Sequence, residues 1–174
     1  MEVAIVDKDT IKIKGKNVNL LVDPTGTMPK TIADAVIFLT NISDSDADSS
    51  KVSEYRVVIK GVGSYEVAGA RVNGFSSGDN FYYALVVDGI NIFIGRNTDI
   101  EKQQEKGAYS VLILNIEGEF KPTMVSSFEP NLAILYGPDA EAGAKLLGKE
   151  YQTASKFSQT AEKLPVDMQV VLLK

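Results

Sequence analysis

The stretch "AVIFLTNISDSDADSS", residues 35–50, decides how the rest of this chain is read. Ala35 to Leu39 is an unbroken run of strand length, and at Thr40 it passes into a polar, acid-rich loop. A buried strand that opens into such a loop is where a rigid scaffold hands over to residues free to carry chemistry. A second stretch, "GVGSYEVAGARVNGF" at residues 61–75, places Tyr65, Val67, Ala70, Val72 and Gly74 either side of Gly69, with Phe75 closing the run. Its alternation is that of a half-buried strand.

Composition sets the outer limits. The 174 residues suffice for one domain, residues 1–174, with a real core. A hydrophobic share of 44% and a charged share of 24% are those of a folded protein. The net charge of -5 argues against nucleic acid, whose phosphates need clustered Lys and Arg. The absence of cysteine excludes disulfides, thiolate zinc sites and cysteine nucleophiles. The absence of histidine removes the commonest transition-metal ligand and the usual general base near neutral pH. The opening "MEVAIVDKDTIKIKGK" shows no secretory pattern, and no apolar run approaches the roughly 20 residues of a membrane-spanning helix. A cytoplasmic location without a membrane partner is the expectation.

Strands are expected at Val3–Val6, Ile11–Lys14, Val18–Val22, Ala35–Leu39, Arg56–Lys60, 65–75, Phe81–Val87, Ile90–Ile94, Val111–Ile116, Leu132–Leu135 and Val166–Leu173. Asp88-Gly89 is a strong hairpin signal. One helical turn is expected over Lys30–Asp34, and short helices near Ser49–Tyr55 and over Asp99–Lys106, the latter capped by Thr98 and ended by Gly107. A helix is read between Pro138 and Tyr151, and a last helical turn or two over Lys156–Lys163.

The order of landmarks resembles the metallo-β-lactamase superfamily, in its small lactonase- or hydrolase-like branch. Asp23-Pro24 ends a strand after a hairpin, Thr40 precedes the family's metal motif, and Gly61, Gly63, Tyr65, Glu66 and Val67 match a Gly-x-Gly-x-Tyr-Glu-Val segment. Gly69, Gly74, Gly95 and Pro130 also fall in place, so the resemblance runs from "VNLLVDP" to "PNLAILYGP". It implies an α+β fold, an αββα sandwich of two mixed sheets flanked by short helices. It also implies a former active-site cleft at Asp23, Asn41, Ser43, Asp46, Gly78, Asp79, Arg96 and Gly137. The family's paired His fall on Asn41 and Ser43, its Asp-His on Ser45 and Asp46, and its next His near Gly78. Its bridging Asp falls on Arg96 and its last His on Gly137. Zinc needs three or four N, S or carboxylate ligands, and Asp23, Asp46 and Asp79 beside a guanidinium do not supply them. No metal or other cofactor is therefore expected, and no catalytic residue is assigned.

Two sharper readings compete with plain ones. Asp44, Asp46 and Asp48 match the start of a calcium loop, but the glycine and glutamate such a loop requires are Ser49 and Tyr55 here. A solvated loop, or Asp46 as a helix cap, accounts for them. Arg96 with Asp46 or Asp79 could form a carboxylate base and a cationic clamp. The plainer account has Arg96 filling the vacated metal cavity and neutralising leftover carboxylates. The expectation is a non-catalytic binding or assembly module that engages a protein partner or a second copy of itself. The alternative is a metal-independent hydrolase or a binder of small anions in the old cleft. A hydrolase using carboxylate-bound magnesium or manganese is a third, lesser option.

Overall fold

Short β-rich runs separated by tight polar turns pair into two facing mixed sheets. The computed structural model describes residues 1–43, 48–100 and 109–174. Its first strands are β1 (Glu2–Asp7), β2 (Thr10–Lys14), β3 (Asn19–Val22), β4 (Thr31–Ile32), β5 (Ala35–Ile37), β6 (Val52–Ser53) and β7 (Val57–Ile59). A meander follows of β8 (Gly63–Val67), β9 (Ala70–Ser77), β10 (Asn80–Val87) and β11 (Ile90–Arg96), leading into helix α1 (Asn97–Ile100). Then come β12 (Val111–Asn115), α2 (Thr123–Ser126), β13 (Leu132–Tyr136), α3 (Ala140–Leu146), β14 (Tyr151–Ala154), β15 (Lys156–Ser158) and β16 (Gln169–Leu173).

One sheet has the order β15-β1-β2-β3-β5-β7 and the other β14-β16-β13-β12-β11-β10-β9-β8. Each mixes antiparallel hairpins with parallel pairs: β3, β5 and β7 run parallel in the first, and β11, β12, β13 and β16 in the second. The main core lies between them. Ile11, Ile13, Leu20, Val22 and Ile37 from one face meet Leu85, Ile92, Ile94, Ile113 and Ile134 from the other. Each such side chain contributes roughly 1.5–3 kcal/mol on burial. This is the sandwich that the resemblance implies. Helices α2 and α3 pack Met124, Val125, Ala140 and Ala144 on the outer face of the second sheet. The outer face of the first carries Leu21, Val36 and Phe38 under Met28, Ala33 and Val52, around the parallel β4–β6 pair. No helix among the described residues is long and apolar enough to cross a membrane.

Several local expectations give way to tertiary pairing. Lys30–Asp34 and Ser49–Tyr55 contain the strands β4 and β6 instead of helical turns, since the backbone of each satisfies the other. Residues 65–75 belong to two strands: Ala68 (φ 47°) and Gly69 (φ 85°) turn the chain between β8 and β9. Helix α1 starts at Asn97, so Thr98 lies inside it, and its expected continuation to Lys106 falls outside the described residues. Helix α3 stops at Leu146, before Gly148 at φ 64°, and Tyr151–Ala154 pairs with β16. Lys156–Ser158 is an edge strand beside β1, and only Ala161–Lys163 makes a 3₁₀ turn. Val166 is outside the last strand and 96% exposed.

The glycine-rich segment owes its composition to one close approach. The Gly61 carbonyl lies over Gly74, where a β-carbon would collide with it and with the Tyr83 ring. Tyr83 is fully buried; its hydroxyl donates to the Phe38 carbonyl at 2.8 Å and accepts from the Gly61 amide at 3.3 Å, linking the two sheets. Gly74→Ala is expected to lower the unfolding free energy by about 2 kcal/mol or more, because backbone must move. Gly69→Ala, in open space at a positive φ, is expected to cost only about 1 kcal/mol. Urea denaturation of both variants checks the order, and equal costs would refute the close-approach account.

Candidate functional site

Alternation along a strand, combined with in-register parallel pairing, sends every second residue of β11, β12 and β13 into the sandwich. Ile94, Ile113 and Ile134 form one inward rank. The next rank is the last, and it is polar: Arg96 pairs with Asn115 and Asn115 with Tyr136. Across from it, Asp23 follows the last residue of β3, and the chain beyond β5 continues through Leu39 to Thr40. These strand ends surround a cleft of about 310 Å³ lined by Asp9, Asp23, Phe38, Thr40, Arg96, Asn115 and their neighbours Pro24, Thr25, Ile42, Glu117 and Pro138.

Asp23 is the most constrained group. It sits at a positive φ of 48°, which Asp tolerates better than most residues. Its amide donates to the Ile37 carbonyl, its carbonyl accepts from the Thr10 hydroxyl at 2.7 Å, and Oδ1 accepts the Leu39 amide at 2.8 Å. Oδ2 is buried without a hydrogen-bond partner. Burial pushes the carboxyl up from its ordinary 3.8 to about 6, against the opposing pull of the Leu39 amide and the Arg96 charge.

Arg96 bridges the mouth. Nη1 donates to Glu117 Oε2 at 2.7 Å and Nη2 to Thr40 Oγ1 at 2.8 Å, while Nε is buried and unpartnered. Its backbone amide lies 3.3 Å from Asp99 Oδ2, a carboxyl that burial raises. Asn97 sets the position of Glu117: Oδ1 accepts the Glu117 amide at 3.0 Å, and Nδ2 donates to the Glu119 carbonyl at 2.7 Å. The Arg96–Glu117 pair is thus braced at both ends, by Thr40 and by Asn97.

The expected site residues divide. Asp23 and Arg96 line the cleft, and Gly137 adjoins it through Asn115. Asn41, Ser43, Gly78 and Asp79 are exposed and do not line it. Asn41 and Asp79 meet only at the rim, where the Asn41 amide donates to the Asp79 carbonyl at 2.7 Å. Asp46, with Asp44 and Ser45, lies outside the described residues. Asp48 Oδ1 accepts both the amide and the hydroxyl of Ser50, an ordinary loop turn. The cleft residues the sequence reading passed over include Asp9, Asn115 and Glu117. Asn115 had a visible signal, since it is the one polar residue ending the run Val111–Asn115 on an inward position.

The fold family implies zinc, and these residues do not fit it. Among the described residues no group of three or more His, Cys, Asp or Glu is placed to hold a metal ion. Gly137, at φ 102°, has Asn115 Oδ1 and the Ile116 carbonyl where its β-carbon would stand, so a ligand side chain could not start from that position. The guanidinium of Arg96 adds a fixed positive charge to the same cleft. An anion fares no better: Asp9, Asp23 and Glu117 surround that one cation, whose terminal nitrogens already bond Thr40 and Glu117.

The carboxyl of Asp23 generates a signed prediction. Its folded value lies above its ordinary one, so the native state takes up a proton between about pH 6 and 3.8 that the unfolded chain lacks. Stability therefore falls as pH rises through that window, by at most about 3 kcal/mol. Asp23→Asn keeps an acceptor for Leu39 and removes the buried charge. The variant is expected to exceed the parent by about 1–3 kcal/mol at pH 8, the gap closing by pH 4. Urea melts at both pH values decide it, and a pH-independent gap would count against it.

No protein-family model and no curated protein matches the chain by sequence. Solved structures do match by fold. A protein of Thermotoga maritima assigned to the Zn-dependent hydrolases of the metallo-β-lactamase superfamily superposes with a TM-score of 0.74 at 17% identity, covering 99% of this chain and 98% of that one. A diphosphatase from the PhnP family superposes with a TM-score of 0.52 at 9% identity, covering 94% and 80%. With two mixed sheets, short helices and this near-complete superposition, the chain has the metallo-β-lactamase fold.

Proposed function

We propose that this protein is a non-hydrolytic binding module built on a hydrolase fold, with the former active-site cleft as its binding site. The observation that carries the reading is Arg96, braced between Thr40 and Glu117 at the position where the resemblance expects a bridging Asp. A metal centre and a guanidinium compete for the same space, and here the guanidinium occupies it and pairs with Glu117. Asn115 supports this from the other side, because it stands where a ligand at residue 137 would begin. A hydrolytic water also needs an activating base. Asp23 is the one carboxyl whose environment brings it near neutrality, yet its Oδ2 is buried and no nucleophile stands beside it. The remaining function of such a cleft is to hold something. The large exposed apolar residues, Ile32, Val62, Leu146 and Val166 among them, belong to separate elements, and singly exposed residues of this kind need no partner to explain them. Association with a protein partner or a second copy would therefore use the cleft rim rather than an apolar patch.

Native mass spectrometry of protein purified from its own cells is expected to show the chain free of zinc. After dialysis, added zinc, manganese or magnesium is expected to bring no hydrolysis of lactone, thioester or phosphodiester probes. One or two ions retained per chain together with turnover would overturn the reading.

A further inference from the structure

We infer that the cleft takes a small organic cation, an ammonium group carried on a short apolar body. The inference rests on the reading of this cleft as a binding site and assigns the chemistry of what it holds.

Charge comes first. The Arg96–Glu117 pair, 2.7 Å apart, cancels itself within the cleft wall. Asp9 and Asp23 remain, and neither makes an ion pair in the described structure. The Asp9 carboxyl is pushed up by burial and by the Glu117 charge against the smaller opposing pull of Arg96 and Lys8, and the lining itself holds three carboxylates to one guanidinium. A positively charged occupant relieves both groups.

Hydrogen bonding points the same way. The Asp23 carboxyl is almost wholly buried, lines the cleft, and keeps Oδ2 as an acceptor without a donor. Asn115, only 3% exposed, lines the cleft beside it and shares a side-chain hydrogen bond with Tyr136. An occupant with N–H donors answers the unmet Asp23 oxygen. An ammonium group brings three donors and one positive charge to that acceptor and to a lining with more carboxylates than cations. A divalent metal would need about six oxygen ligands in a cleft that also holds a guanidinium. Phosphate or carboxylate could answer the unpartnered Arg96 Nε, but it would bring its charge against Asp9, Asp23 and Glu117 and further acceptors to the unmet Asp23 oxygen.

The apolar part has a place as well. Phe38, Ile42 and Pro138 supply one side of the cleft, and its volume of about 310 Å³ sits at the low end of small-molecule sites. The fit is to a short alkyl or aryl amine, with its head toward Asp23 and Asn115 and its body against these three residues.

The test uses the full-length protein and three isosteric probes, n-butylammonium, n-butanol and butyrate, titrated by NMR or calorimetry at constant ionic strength. Butylammonium is expected to bind at least tenfold more tightly than either of the others. Asp9→Asn changes a half-buried rim residue and is expected to weaken it by about tenfold, the loss of one charge-assisted contact. Glu119→Gln makes the same change in net charge on an exposed side chain outside the cleft, and it is expected to leave the affinity within twofold. Circular dichroism confirms that both variants are folded. Equal binding of butyrate, or equal effects of the two substitutions, would overturn the inference. Absence of amine binding in a zinc-free, inert protein would sink this inference alone, whereas zinc retention with turnover would sink the binding-module reading beneath it.

Discussion

Register is the constraint on which the rest depends. Strands β11, β12 and β13 run parallel with Arg96, Asn115 and Tyr136 abreast, and a slip of one residue would turn all three out of the sandwich. The ranks behind them, one of Ile94, Ile113 and Ile134 and one of Ile92, Val111 and Leu132, are wholly aliphatic, and their burial sets the register without help from the polar row. Apolar packing thus places polar groups at the mouth that they could not have reached by their own attraction. The result is a polar mouth: Tyr136 and Asn115 share a side-chain hydrogen bond, while Asp23 Oδ2 and Arg96 Nε are buried without a partner among the described residues. Native proteins keep few such atoms, and an orphaned acceptor and an orphaned donor at one end of a sandwich set that end apart from the apolar core.

Electrostatics explains how this end stays stable. Arg96 is the compensating charge for Asp23, pulling its carboxyl down against burial, and the same guanidinium bonds Thr40 and Glu117. Tyr136 feels the same arrangement: burial first and the Asp23 charge next raise its hydroxyl well above the ordinary value, so it remains neutral. Neutral tyrosine, one cation and three carboxylates leave a surplus of negative charge in the cleft lining, which Lys8 offsets only at Asp9.

Much of the architecture was legible in the sequence because hydrophobic period and turn chemistry are local. Val111–Asn115 reads as a buried parallel strand from its unbroken apolar character, and Asp88-Gly89 reads as a hairpin from the φ values its turn requires, 52° and 78°. The errors arise where pairing partners are distant. Nothing within Val52–Ser53 announces that Thr31–Ile32 will lie beside it, and nothing within Lys156–Ser158 announces β1. The site was legible only where a motif carried it, at Asp23 and Arg96. The resemblance puts Asn41, Ser43, Gly78 and Asp79 at the cleft by their order along the chain, but in space they stand outside it, on loops that strand register does not position.

That last point separates inheritance of a fold from inheritance of a site. Metal ligands are held in mutual orientation by the ion as well as by the backbone. Here the strand-borne positions are placed by register alone. The cleft is lined by Arg96 and Asn115 with Asp23 across from them, whereas the loop residues Asn41, Ser43, Gly78 and Asp79 do not line it. The same packing leaves Gly137 no room for a side chain: Asn115 Oδ1 and the Ile116 carbonyl take the space, and the backbone holds a φ of 102° that suits glycine. A ligand side chain at residue 137 would require moving Asn115, which is held between β11 and β13 in a parallel sheet. Packing, as well as residue identity, therefore makes this end a polar cleft.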